Sequence, residues 1–142
     1  MKLLIDTHAL LWFCEGHSSL SAKARAAMED ENNERYVSYA SAWEVAIKVS
    51  LGKLHLKLDY DILFSQVVQA NGFQMIGQDL GHYQALIAMP KHHGDPFDRL
   101  LIAQAQVEGM TILSCDRNFA AYGVPLLWWR SDFRLVEKKH AF

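Results

Sequence analysis

Cysteine is nearly absent: Cys14 and Cys115 stand far apart, with no CxxC or Cys/His spacing around either. That scarcity argues against a structural zinc site and for reduced thiols in a cytoplasmic protein, where each serves as a small apolar side chain. Long hydrophobic runs are missing too, and no stretch approaches the roughly 18 unbroken apolar residues of a membrane span. The opening MKLLIDTHALLWF has the outline of a signal peptide, but Asp6 and His8 interrupt it and no small-residue cleavage site follows. It reads instead as a buried strand running into a helix. Charge of either sign is not in excess, with a formal net charge of −2. A nucleic-acid ligand would therefore need a local basic patch, a bound cation or a partner chain to attract it. HExxH and other two-histidine metal spacings do not occur, which disfavours His8, His92 and His93 as ligands. No internal repeat, low-complexity segment or linker interrupts the chain.

What remains is one soluble domain of 142 residues, 51% hydrophobic and 21% charged. Short apolar runs alternate with helical patterns, the signature of βαβ units around a parallel sheet. Lys2–Ile5 reads as the first strand, ending at Asp6. Ser21 caps a helix over Ala22–Met28, and Glu29–Arg35 reads as a loop. Tyr36–Ser38 makes a short second strand, followed by a helix that reaches Leu51 and closes at Gly52. Asp59–Ala70 predicts another helix, Phe73–Ile76 a third strand, and Leu80–Met89 a helix ending before Pro90. Asp95-Pro96 opens a helix over Phe97–Glu108, which Gly109 stops. Thr111–Ser114 is the fourth strand, and Pro125–Trp128 adds a candidate fifth.

Two acids, Asp6 and Asp116, finish strands in this reading, and two others, Glu44 and Asp98, lie near helix starts. In a parallel sheet the strand C-termini share one edge, and the helices that follow begin there, so all four can face one cleft. Four carboxylates together repel unless a cation sits among them. Oxygen-only ligation suits Mg²⁺ or Mn²⁺, and phosphodiester hydrolysis is the chemistry such a site serves best. Each acid also has a structural use. Asp6 and Asp116 can terminate strands or cap turns. Ser41-Ala42-Trp43-Glu44 matches a capping box, and Glu44 with Lys48 makes a favourable i,i+4 pair. Asp98 in a first turn offsets the helix dipole, with Asp95 as N-cap.

LLIDTHALLW, VSYASAWEVAIKVSLGKL, GDPFDRLLIAQA and TILSCD occur in this order. Together they resemble the successive motifs of PIN domains, and most of all the VapC-type toxins of bacterial toxin–antitoxin pairs that carry a DPFDR segment. The resemblance spans Lys2 to about Trp128, which makes residues 1–128 a PIN-like nuclease domain and 129–142 a C-terminal extension. It implies a three-layer α/β/α fold with a parallel sheet of four or five strands. It also implies an endoribonuclease that uses Mg²⁺ or Mn²⁺; attack by a metal-bound hydroxide that displaces the 3′ oxygen would leave a 5′-phosphate. Asp6 matches the first-motif metal ligand, Glu44 the second-motif acid, Asp98 the acid before the apolar helix, and Asp116 the last acid. Thr7 and Ser38 fall where supporting hydroxyls occur, and Arg99 and Arg117 where phosphate contacts could arise. Implied partners are RNA, a cognate antitoxin protein and a second copy of the chain in a homodimer. Trp12, Phe13, Trp43, Ile47 and Leu51 are candidates for an apolar groove near the site. The rival function is a non-catalytic PIN-like module that binds RNA or protein. A receiver or haloacid-dehalogenase-like phosphatase fits poorly, because Asp6-Thr7-His8 lacks the paired acids each needs.

Overall fold

A computed structural model describes residues 1–92 and 94–127. His93 and the proposed extension at 129–142 lie outside them. The central layer is a five-stranded parallel sheet in the order β3-β2-β1-β4-β5. Its strands are β1 (Lys2–Ile5), β2 (Glu34–Ser38), β3 (Gln74–Ile76), β4 (Thr111–Leu113) and β5 (Leu126–Leu127). Helices α1 (Thr7–Glu15), α2 (Ala22–Glu29), α3 (Tyr39–Ser50), α6 (Leu80–Ala88) and α7 (Pro96–Glu108) flank it. Short α4 (Tyr60–Ile62) and α5 (Val68–Ala70) are joined by a π turn over Leu63–Val67. This is the expected α/β/α architecture.

The three layers follow from the period of two along β1. Leu3 and Ile5 enter one core with Ala9, Leu10, Ala24, Met28, Val68 and Phe73. Leu4, pointing oppositely, enters another with Leu101, Ile102, Ala105, Ile112 and Phe119. A strand covered on both faces has to be apolar throughout, which is why Leu3-Leu4-Ile5 carries no alternation. Registers Ile5↔Val37 and Ile5↔Leu113 bring the ends of β1, β2 and β4 to one edge.

Several expectations need correction. The loop over Glu29–Arg35 is shorter than expected, because Glu34 and Arg35 already belong to β2. Buried Arg35 donates from Nη1 to the carbonyls of Met28 (2.7 Å) and Asn71 (3.1 Å), tying the ends of α2 and α5 together. That guanidinium leaves no room at Gly72, where an added Cβ would lie 2.7 Å from Arg35 Nη2 and φ is +76°. The helix expected over Asp59–Ala70 contains the π turn, whose wider winding a 3.6-residue pattern does not encode. Gly52, at φ +70°, does follow the C-cap of α3. A 3₁₀ helix over Arg117–Tyr122 was not anticipated.

Candidate active site

Each acid is placed by a local hydrogen bond. Asp6 follows β1 and caps α1, its Oδ1 accepting from Ala9 N at 2.7 Å. Asp6 N–H donates to Leu113 O at 3.2 Å, which stitches this turn to the neighbouring strand β4. Past β4, Asp116 N–H donates to Ser114 Oγ at 3.0 Å, and Asp116 Oδ1 accepts from Asn118 N at 3.0 Å to cap the 3₁₀ helix. The anticipated structural uses of Asp6 and Asp116 are therefore real. An N-cap needs only one acceptor oxygen, so this use and a metal role are compatible.

Helix α7 runs back along the sheet to β4, so its first turn lies at the edge where the strands finish. The far end of α7 lies at the opposite edge, where Lys2 Nζ donates to Glu108 O at 3.1 Å. Asp95 is the N-cap of α7, with Oδ1 accepting from Phe97 N (2.9 Å) and Asp98 N (3.3 Å), as the Asp-Pro pair predicts. Asp98 then sits in the first turn and is buried. An Asn at 95 keeps the acceptor, so Asp95→Asn is expected to hold both stability and any cleavage activity. Asp95→Ala is expected to lose about 1 kcal/mol in thermal melting. An Asp95→Asn protein that melts normally but is inactive would move Asp95 into the acid set.

Glu44 is not part of a capping box. The N-cap of α3 is Ser38, whose Oγ accepts from Ala40 N at 3.0 Å, and this leaves Glu44 in the middle of the helix. Ser41, one turn earlier, shares its face. Thr7 Oγ1 lies 2.8 Å from Glu44 Oε1 and 2.9 Å from Ser41 Oγ. With one proton to give, Thr7 donates to the carboxylate and takes the Ser41 hydroxyl as its own donor. Lys48 Nζ stands 3.3 Å from Glu44 Oε2, so the i,i+4 pair does form. Burial raises the Glu44 pKa; Thr7 and Lys48 oppose that shift, whereas Asp98 and Asp95 add to it.

The structure thus places Asp6, Glu44, Asp98 and Asp116 at one edge, each at most 5% exposed. Glu44 and Asp98 are near enough to feel each other's charge. No three of the four bring ligand atoms within 4.8 Å of one another. Among the described residues, the only three His, Cys, Asp or Glu ligand atoms all within 4.8 Å of one another belong to Asp79, His82 and Glu108. That trio is a helix lock. His82 Nδ1 accepts from Asp79 N at 3.0 Å, and Nε2 faces Glu108 Oε1 at 3.0 Å, so both ring nitrogens are already used. It also lies ten residues along α7 from Asp98, about 15 Å away. The four-acid edge is the better fit to a hard divalent ion, because it offers only oxygen donors and concentrates buried negative charge.

The supporting residues divide. Thr7 touches Glu44 as anticipated. Ser38 instead donates from Oγ to Gln104 Oε1 at 2.6 Å, and Gln104 Nε2 donates to Gly77 O at 3.2 Å. Ser38 therefore braces α7 against the sheet. Sequence reasoning missed Ser41 and Gln104; the signal for Ser41 was its position one helical turn before Glu44. Arg99 turns toward the C-terminal end of α6, with Nη2 donating to Met89 O at 3.4 Å, while Arg117 is exposed. His92 packs against Tyr122 and donates its N–H to that hydroxyl at 3.1 Å. Of the aromatic and aliphatic candidates, Phe13 packs on Phe73, and Trp12 and Ile47 are half-buried. Trp43 and Leu51 are exposed. Leu11, Cys14, Leu56, Leu58 and Leu63 line an apolar groove, and Trp12 lines a more polar cleft with His8, Leu11, His17 and Leu54. Burial pushes the Cys14 thiol up to about 11, which suits an inert apolar side chain.

A parallel three-layer domain with buried acids at its strand ends defines a recognisable class. The PIN domain family model matches residues 3–125, and the chain belongs to that family. Its fold is similar to that of VapBC2 from Rickettsia felis, solved bound to a DNA fragment from the promoter of those proteins. That match has 14% identity and a TM-score of 0.68, and covers 92% of this chain and 100% of that one. It is also similar to FitAB bound to an IR36 DNA fragment, at 17% identity and TM-score 0.62, covering 93% and 99% of the two chains. FitAcB from Neisseria gonorrhoeae matches at 18% identity and TM-score 0.56, covering 88% and 96%. No curated protein matches in sequence. No helix among the described residues is long and apolar enough to cross a membrane.

Proposed function

We propose that this chain is a Mg²⁺- or Mn²⁺-dependent endoribonuclease and the toxin of a toxin–antitoxin pair. The observation that carries the nuclease reading is the set of four buried acids at one sheet edge in a domain whose family generally has nuclease activity. Asp6 and Asp98 would hold the ion, with Glu44 and Asp116 completing the oxygen set or orienting a water. When bound, the ion would supply a Lewis acid for the phosphodiester and lower the pKa of the attacking water. Asp6 is fixed by the Ala9 amide, and Asp116 by the Asn118 amide. Thr7 and Lys48 fix Glu44. This ordering keeps the carboxylates from swinging away as charge develops.

The toxin reading rests on the likeness to VapBC2 and FitAB and on the motif pattern. The groove lined by Leu11, Cys14, Leu56, Leu58 and Leu63 suits the apolar face of an antitoxin helix. Leu80, Tyr83 and Ile87 form an exposed apolar stripe on α6, available to a second copy in a homodimer. A cytoplasmic location follows from such a role.

The test is cleavage of total RNA by the chain purified free of partner. Cutting is expected with Mg²⁺ or Mn²⁺ and none with EDTA. Expression alone should arrest bacterial growth, and a small protein encoded beside it should relieve the arrest. Activity that requires a tightly held zinc would contradict the ligand set. Cleavage in vitro without growth arrest would leave a nuclease and remove the toxin role.

A further inference from the structure

Trp43 is exposed over 59% of its surface and directly precedes Glu44 on α3. A single exposed apolar residue is ordinary; the setting of this one is not. Its ring meets Phe97 perpendicularly, with centroids 5.3 Å apart and an interplanar angle of 74°. Phe97 directly precedes Asp98 on α7. The indole therefore bridges the seam between the two acid-bearing helices, one residue from an acid on each side. A perpendicular contact occupies at most one face of the ring and holds it in place, leaving the other face to solvent.

We infer that Trp43 is a stacking platform for an unpaired base of the RNA substrate, next to the phosphate held at the acidic edge. This inference rests on the nuclease reading of the same edge. Proteins that take single-stranded RNA combine backbone attraction with base stacking on aromatic side chains. Here the first component is weak: the chain carries 14 Lys and Arg against 16 Asp and Glu, with no net positive charge. Stacking does not depend on net charge and tolerates every base, so it supplies affinity where phosphate contacts are few. A protein partner would be drawn better by the apolar groove along α1 than by one ring beside four carboxylates.

The experiment compares Trp43→Ala, Trp43→Phe and Trp43→Leu with wild type. Each is assayed for steady-state cleavage of a single-stranded oligoribonucleotide. Each is also placed in an Asp98→Asn background for binding of the same labelled RNA by anisotropy. Trp43→Ala is expected to raise both KM and Kd about tenfold with kcat nearly unchanged. Phe should restore most of the affinity and Leu little, because Leu replaces the apolar area but not the ring. The slope of log Kd against log salt should not change, since no phosphate contact is lost. Wild-type affinity in Trp43→Ala, rescue by Leu equal to that by Phe, or an altered salt slope would each overturn the platform. So would lost affinity for a co-purifying protein with RNA affinity intact. If RNA binds through Trp43 but wild type cuts none, the nuclease reading falls and the platform stands. If wild type cuts RNA and Trp43→Ala binds normally, the platform falls alone.

Discussion

Asp6→Asn and Asp98→Asn are each expected to lower Mg²⁺- or Mn²⁺-dependent RNA cleavage by roughly 100- to 1,000-fold without unfolding the protein. Charge stabilisation by a bound ion is worth several kcal/mol, and each 1.36 kcal/mol is tenfold in rate. Asn keeps the shape and the acceptor oxygen, so the Asp6 cap on Ala9 N survives while the negative ligand is lost. Removing one of four buried like charges relieves repulsion, so melting temperatures should hold or rise slightly. Cleavage rate and thermal melting measured together decide the matter. Wild-type rates in both variants would remove the two acids from the catalytic site.

The largest stability loss outside the apolar core is expected at Gln104. This side chain is fully buried and spans from the end of β2 to the turn after β3, through Ser38 Oγ and Gly77 O. Gln104→Leu keeps much of the volume but leaves a buried hydroxyl and a buried carbonyl without their partner. The cost is about 2–3 kcal/mol, a fall in Tm of roughly 5–10 °C. Adding Ser38→Ala should recover part of the loss by removing one orphaned group. Recovery stays partial because Ser38 also caps α3 through Ala40 N. A Gln104→Leu protein that melts like wild type would show that this bridge carries no net stability.

Features written in short-range chemistry were legible before any coordinates. The Asp95-Pro96 cap, the Gly52 and Gly109 helix ends and the all-apolar β1 each follow from local rules about donors, φ angles and two-sided burial. So was the placement of Asp6, Asp98 and Asp116 at one edge, because parallel topology determines where strands end and helices start. Glu44 instead lies mid-helix and meets that edge through Thr7. Long-range partners were not legible. Ser41-Ala42-Trp43-Glu44 has the spelling of a capping box, but Ser38 had already taken the cap, and Ser41 points at Thr7 from 34 residues away. Ser38 looked like a companion of the acids, whereas its proton goes to Gln104, 66 residues on. The π turn in 63–67 escaped for another reason: one extra residue of winding leaves no mark on hydrophobic periodicity.

The central position of β1 also sets a schedule. This strand and Asp6 leave the ribosome well ahead of β4, which lies against β1, and of Asp116, about 110 residues later. At 5–20 residues per second, that delay is roughly 5–20 s of synthesis. Until it ends, Leu4 has no β4 beside it and the acidic edge is incomplete. If that edge holds an ion, it can do so with all four acids only after Asp116 has emerged.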